Sequence, residues 1–232
     1  LKRFYDNVTV TACDAGYGVA LDGRDVNSPG RSRIAVPSRA LARALAEEWD
    51  HQSETVDLAT MPLHRLVVMA IDEISKRPDE VVEAIVAYGE TDLTCYRAAR
   101  PQDLADRQRV AWQPMVDWLA ERHDVVLAIT TDVSPVRQSQ RALTMLRRAV
   151  SSDDPFLLTA THAATTVCGS VVIALALRDE AIDAAAAWAA AQLDETYQIE
   201  RWGEDEEMAA RRRRLRADLD AADRLFRLLG KD

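Results

Sequence analysis

The sequence predicts an α+β fold, with a small antiparallel β-rich part at residues 1–37 and a larger, mainly α-helical part at residues 38–232. Three observations carry this. Before Pro37 the apolar residues alternate: Val8 and Val10 with Thr9 and Thr11, then Tyr17, Val19 and Leu21 with Gly18 and Ala20. After Pro37 they recur every three or four residues, and Pro62, Pro78 and Pro101 stand where helices would open. A third run, Pro155 to Leu177, has no formal charge over its length and reads as the central buried helix of the helical part.

Taken in order, Asp14-Ala15-Gly16-Tyr17 and Asp22-Gly23 are hairpin signals, Ser28-Pro29-Gly30 marks a loop, and Ile34 to Val36 closes the meander. Ser38 is the N-cap of a helix that shows Leu41, Leu45 and Trp49 on one face. A second helix from Pro62 carries Leu63, Leu66, Val67, Ala70 and Ile74. A third from Pro78 ends at Gly89, read as a residue that tolerates positive φ. The fourth, from Pro101, contains Trp112 and should kink or restart at Pro114. Val125 to Ile129 is a β-rich run that could add an edge strand. Helices resume over Ala142 to Val150, the neutral run, and an alanine-rich stretch from Asp183 to Gln198. A final seam joins Met208, Leu215, Leu219, Ala222, Phe226 and Leu229.

Composition excludes several functions. A chain of 232 residues buries roughly 70% of its unfolded surface and needs no cross-links. Cys13, Cys95 and Cys168 are odd in number and widely spaced, which suits a reducing compartment and no zinc site. A net charge of -9 opposes nucleic-acid binding despite Arg211 to Arg214. The neutral run is long enough to span a bilayer, but its threonines, His162 and Ser170 make it too polar, so no membrane span is expected. The chain opens on Leu1 rather than Met, which reads as a trimmed or processed N-terminus.

Catalytic signatures are missing. There is no Gly-x-x-x-x-Gly-Lys loop for nucleotide phosphates, and Gly16-Tyr17-Gly18 lacks the third glycine of a dinucleotide site. Cys168-Gly169-Ser170 falls inside the neutral helix rather than on a nucleophile elbow. His51, His64, His123 and His162 have no ligand spacing, so no metal or other cofactor is expected. An enzyme would have to use Glu90, Asp92, Asp194 and Glu195 as a carboxylate cluster.

Two dense segments remain. Tyr88 to Arg97, YGETDLTCYR, gathers two carboxylates, two phenols, a thiol and a guanidinium; its structural reading is a buried joint in which Asp92 or Glu90 holds Arg97. Asp194 to Glu207, DETYQIERWGEDEE, reads as a helix end, a glycine break and an acidic first turn. Tyr197 and Trp202 stand among those acids, and aromatic groups ringed by charge also mark protein-binding patches.

The Tyr88 to Arg97 segment resembles the signature of the Atp12 family, chaperones that assemble the F1 part of ATP synthase. Other pieces resemble the family in order along the chain: Lys2-Arg3-Phe4-Tyr5, Leu21-Asp22-Gly23-Arg24, Val36-Pro37, Glu47-Glu48-Trp49-Asp50, Met61-Pro62-Leu63, Trp112 with Pro114, Asp117-Trp118, Gly169-Ser170, Asp194-Glu195 and Trp202-Gly203. The sequence departs from it at Asp25, where the family shows proline, at Ser28, and in 130–134, which lacks an expected glycine.

The resemblance implies a non-enzymatic chaperone that binds the free α subunit of F1 ATP synthase at the surface the β subunit later takes. It implies that the acid four residues after the tryptophan of the Trp-Gly pair, here Glu206, is the functional one. Trp202, Asp205, Glu207, Asp194, Glu195 and Tyr197 are the partner-binding candidates around it. It also implies a monomer when unbound, acting in the bacterial cytoplasm, or in the mitochondrial matrix for a eukaryotic member with its transit peptide removed. A helical adaptor for another protein partner is the remaining alternative.

Overall fold

The computed structural model describes residues 2–132, 134–151 and 153–230. Leu1 and Val133, the latter within the 130–134 stretch, lie outside the described residues. The fold is α+β, with its strands at the N-terminus and ten α-helices after them among the described residues. The chain forms two compact units: 1–78 with 153–160 and 221–232, and 79–152 with 161–220.

In the first unit, β1 (Val8–Cys13) and β2 (Gly16–Leu21) form an antiparallel hairpin across Asp14-Ala15, with Val10 opposite Val19. Asp22 and Gly23, both at positive φ, turn the chain into β3 (Arg24–Asp25), and β4 (Ala35–Val36) pairs with β2 on that same side. Helix α1 (Arg39–Asp50) packs on β1, β2 and β4, so the compact unit that holds the sheet runs past Pro37 to Pro78. Ser38 caps α1 by accepting from the Leu41 N–H, and its hydroxyl also donates to the Leu228 carbonyl. Leu41, Leu45 and Trp49 are buried, as their spacing predicts.

Helix α2 (Pro62–Asp72) begins at Met61, which has no side-chain acceptor to offer. The buried carboxylate of Glu48 takes that part and accepts from the Leu63 and His64 N–H groups, each at 2.8 Å. Trp49 stacks edge-to-face on Tyr5 at 5.7 Å and on His64 at 5.1 Å, and the Tyr5 hydroxyl donates to the Trp49 carbonyl.

The second unit contains α3 (Pro78–Tyr88) beyond its first residue, α4 (Gln102–His123), α5 (Gln140–Val150), α7 (Val171–Arg178), α8 (Ala184–Ala191) and α9 (Leu193–Trp202). The division between the units falls within α6 (Pro155–Cys168) and within α10 (Glu206–Leu229). The expected single neutral helix is two: Gly169 at φ 61 ends α6, and Ser170 caps α7 by accepting from the Ile173 N–H. All of Val171 to Leu177 is buried, so α7 is the apolar centre of this unit, packed against α4 and α8. The alanine-rich stretch is likewise two helices, broken at Gln192.

Three other expectations are corrected by packing. The helix does not restart at Pro114, which sits inside α4. Residues 125–129 form no strand; the side-chain amide of Gln138 instead donates to the Ala128 carbonyl and accepts from its N–H, taking the place a neighbouring strand would fill. Gly89 is not at positive φ. A Cβ there would lie 2.4 Å from Leu146, so close approach is what glycine permits.

The polar joint at 88–97 also differs from expectation. Asp92 is fully buried and accepts from the Thr94 N–H, the Thr94 hydroxyl, the Ser170 hydroxyl and the Val172 N–H. Arg97 donates instead to the Thr94 carbonyl and to Gln113. Burial pushes both the Cys95 and Cys168 thiols up to about 12, which keeps them protonated and unreactive.

Two testable outcomes concern the first unit. Trp49→Ala should lose about 3 to 5 kcal/mol in denaturant unfolding, because it removes the ring that both Tyr5 and His64 stack against. His64 is 7% exposed, and burial lowers its pKa to about 4, below its ordinary 6.5. The folded state therefore prefers neutral imidazole: this contribution is complete above pH 6.5 and is lost as pH falls from 6.5 toward 4. A shift of that size corresponds to about 3 kcal/mol. Unfolding midpoints measured across this window should fall for the parent chain and fall less for His64→Phe.

Candidate partner-binding surface

The acidic segment lies at the joint of α9 and α10, and two backbone features shape it. Gly203 ends α9 at φ 83, ψ 175, a conformation open essentially to glycine alone. Asp205 caps α10, its carboxylate accepting from the Met208 N–H at 2.8 Å. Glu206 and Glu207 then occupy the first turn, where carboxylates complement the helix dipole.

The sequence candidates separate into two groups. Trp202 is 77% exposed, an unusual place for the largest apolar side chain, and Met208 on the far side of the turn is exposed as well. Glu195, Asp205, Glu206 and Glu207 are exposed with it. Glu206 pairs at 2.8 Å with Arg213, both well into solvent, so the pair is a weak tether. Tyr197 and Asp194 belong elsewhere.

Tyr197 is only 4% exposed, which corrects its reading as a contact aromatic. Its hydroxyl donates to Asp103 at 2.8 Å, and the Arg201 guanidinium lies 3.4 Å from its ring centroid while also pairing with Asp103 at 2.6 Å. This locks α9 onto the start of α4 and holds the Asp103 carboxyl below its usual range, chiefly through the Tyr197 hydroxyl. Asp194 accepts from the Gln108 side chain at 2.7 Å and is occupied in the same contact between helices.

Arg212 is the residue that sequence reasoning missed. It reaches Glu204 at 3.1 Å and the Thr196 hydroxyl at 3.4 Å, and its guanidinium carbon lies 5.9 Å from the Trp188 ring centroid. One side chain of α10 thereby ties the turn to α9 and α8, and Glu204 serves the fold. The signal was present in the sequence as the Arg211 to Arg214 run, but a run of like residues does not reveal which member points inward.

Two of the four carboxylates that an enzyme would use are occupied in the fold. Asp92 serves α7 and Asp194 serves α4, and among the described residues no group of three or more His, Cys, Asp or Glu side chains could hold a metal ion. Nor is any helix among the described residues long and apolar enough to cross a membrane.

Gly203→Ala should destabilise the chain by about 1 to 3 kcal/mol through backbone strain, although its Cβ would meet nothing within 4 Å. Thermal unfolding of Gly203→Ala against Gly230→Ala, an equally open position without positive φ, checks this.

Comparison with known proteins gives a consistent result. The family model described as ATP12 chaperone protein matches residues 2–120. The crystal structure of Atp12 from Paracoccus denitrificans superimposes with a TM-score of 0.93 at 38% identity, covering 98% of each chain. The crystal structure of the Atu1473 protein from Agrobacterium tumefaciens gives the same TM-score and identity over 99% of this chain and 86% of its own. The mitochondrial protein atp12 of Schizosaccharomyces pombe is 24% identical over 214 residues, 87% of this chain and 74% of its own length. With matches of this extent to both bacterial and mitochondrial relatives, the chain belongs to the ATP12 family of ATP synthase assembly chaperones, which is not a family of enzymes.

Proposed function

We propose that this chain holds the free α subunit of F1 ATP synthase by the surface that the β subunit later occupies, and that the α9–α10 joint is the contact. The observation that carries this is Trp202, 77% exposed beside Glu206 and Glu207 on a turn held in place from behind by Arg212. An exposed indole with flanking carboxylates offers apolar area and a charge pattern to one partner surface. A chaperone of this kind exchanges one interface for another and needs modest affinity rather than fuel. Glu206, Trp202, Asp205, Glu207 and Glu195 form the contact, while Tyr197 and Asp194 support it from inside. The bacterial cytoplasm is the proposed compartment, supported by 38% identity to a bacterial relative against 24% to a mitochondrial one.

Calorimetry and size-exclusion chromatography with isolated α subunit test this reading. The chain should bind free α subunit and fail to co-elute with assembled α/β complexes; equal binding to both would end the competition model. Glu206→Lys should leave the melting temperature within about 2 °C of the parent, because the side chain is exposed. It should weaken α-subunit binding roughly tenfold or more by turning an attraction into a like-charge contact. Glu121→Lys, an exposed reversal on α4 outside the proposed contact, separates a specific contact from a diffuse acidic surface: equal losses in the two variants would deny Glu206 its role.

A further inference from the structure

The first unit presents an unprotected sheet edge. Strand β1, Val8-Thr9-Val10-Thr11-Ala12-Cys13, pairs with β2 along its full length in unbroken register, and no described strand lies beyond it. Natural edge strands are blunted by lysine, proline, a bulge or brevity. This one has six residues, with no charge, no proline and no bulge.

The backbone pattern says which groups are free. Cys13 and Gly16 close a two-residue turn, and the Asp22 N–H donates to the Asn7 carbonyl, so the odd-numbered residues of β1 turn their backbone groups toward β2. On the other side of β2, the Val26 N–H donates to the Val19 carbonyl, which agrees with that alternation. The N–H and C=O groups of Val8, Val10 and Ala12 therefore point away from the sheet. Among the described residues nothing bonds to them.

Their side chains lie on the same face as Val19 and Leu21, yet Val8 and Val10 are only half-buried where Val19 and Leu21 are fully so. The apolar face thus stops short at the edge. We propose that the free edge of β1 takes an extended segment of a protein client as an added strand, apolar at alternate positions and basic at its ends.

The charges around the edge select that occupant. Asp6 and Asp22 stand at one end, the Asp22 carboxylate accepting from the Asp6 and Asn7 N–H groups, and Asp14 stands in the turn at the other. Arg24 acts on Asp22, Arg33 is engaged by Asp25 and the Thr11 hydroxyl, and Arg3, which reaches the Asp6 carbonyl, is paired with Asp50. A second copy of this chain would set Asp14 against Asp6 and Asp22 if antiparallel, and like against like if parallel. Either direction is repulsive, whereas a client strand ending in Lys or Arg is attracted at both ends. Only the identity of the occupant as a client rests on the chaperone reading.

Amide hydrogen exchange on the isotope-labelled chain, with the synthetic peptide Lys-Val-Thr-Val-Thr-Val-Lys as probe, tests the inference. In the dilute free chain the Thr9, Thr11 and Cys13 amides should be protected while those of Val8, Val10 and Ala12 exchange fast. Peptide at about 1 mM should slow the second set roughly tenfold or more, and a version with Glu at both ends should do so far less. Ala12→Pro removes an outward donor without touching a β1–β2 bond, and Thr9→Lys adds an edge charge; each should abolish the effect with the sheet amides still protected. The inference fails if the Val8, Val10 and Ala12 amides are protected already, if their protection rises with the chain's own concentration, or if saturating peptide leaves them unchanged. No α subunit enters the assay, so its outcome is independent of the proposed binding at Glu206.

Discussion

A carboxylate cut off from water must find donors or give up its charge, and Asp92 is placed where its donors begin a helix. Burial raises its pKa, and four hydrogen bonds, two from Thr94, one from Ser170 and one from the Val172 N–H, oppose that rise. Helix α7 is apolar on every side, so water cannot serve its first N–H groups, and Asp92 and Ser170 supply the acceptors between them. The 88–97 segment is thereby tied to the start of the central helix, and α4 and α8 pack against that helix.

The first unit repeats this arrangement. Glu48, on α1, accepts the first two N–H groups of α2 because Met61 has no acceptor of its own. Burial raises its pKa while the bonds from the His64 and Leu63 backbones lower it. The same contact sets His64 edge-to-face against the Trp49 ring, where its Nδ1 has no partner among the described residues and burial favours the neutral ring. In each unit one buried acid trades solvation for helix N–H groups, which fixes the angle at which two segments meet.

At the start of α10 the same helix-end chemistry is exposed, and there the acids outnumber the tasks. Asp205 caps and Glu204 is held by Arg212, whereas Glu206 and Glu207 remain in solvent beside an exposed Trp202. Folding has uses for the first two acids. The surplus, together with an indole that no core takes up, is the support for the contact proposed at this turn.

Composition and periodicity determined the class of this chain: alternation before Pro37 made strands, the hairpin dipeptides set their turns, and Leu41, Leu45 and Trp49 named a core face, because these patterns reflect local backbone geometry. The order of short motifs also carried the family. What the sequence left open was decided by contacts between residues far apart in the chain. Asp92 bonds to Ser170 and Val172 rather than to nearby Arg97, Tyr197 turns inward to Asp103, and Arg212, one of a run of four arginines, folds back toward Trp188. An amphipathic pattern fixes which face of a helix is apolar. It leaves undetermined which polar side chain finds a buried partner, because that depends on donors brought close only when the helices pack.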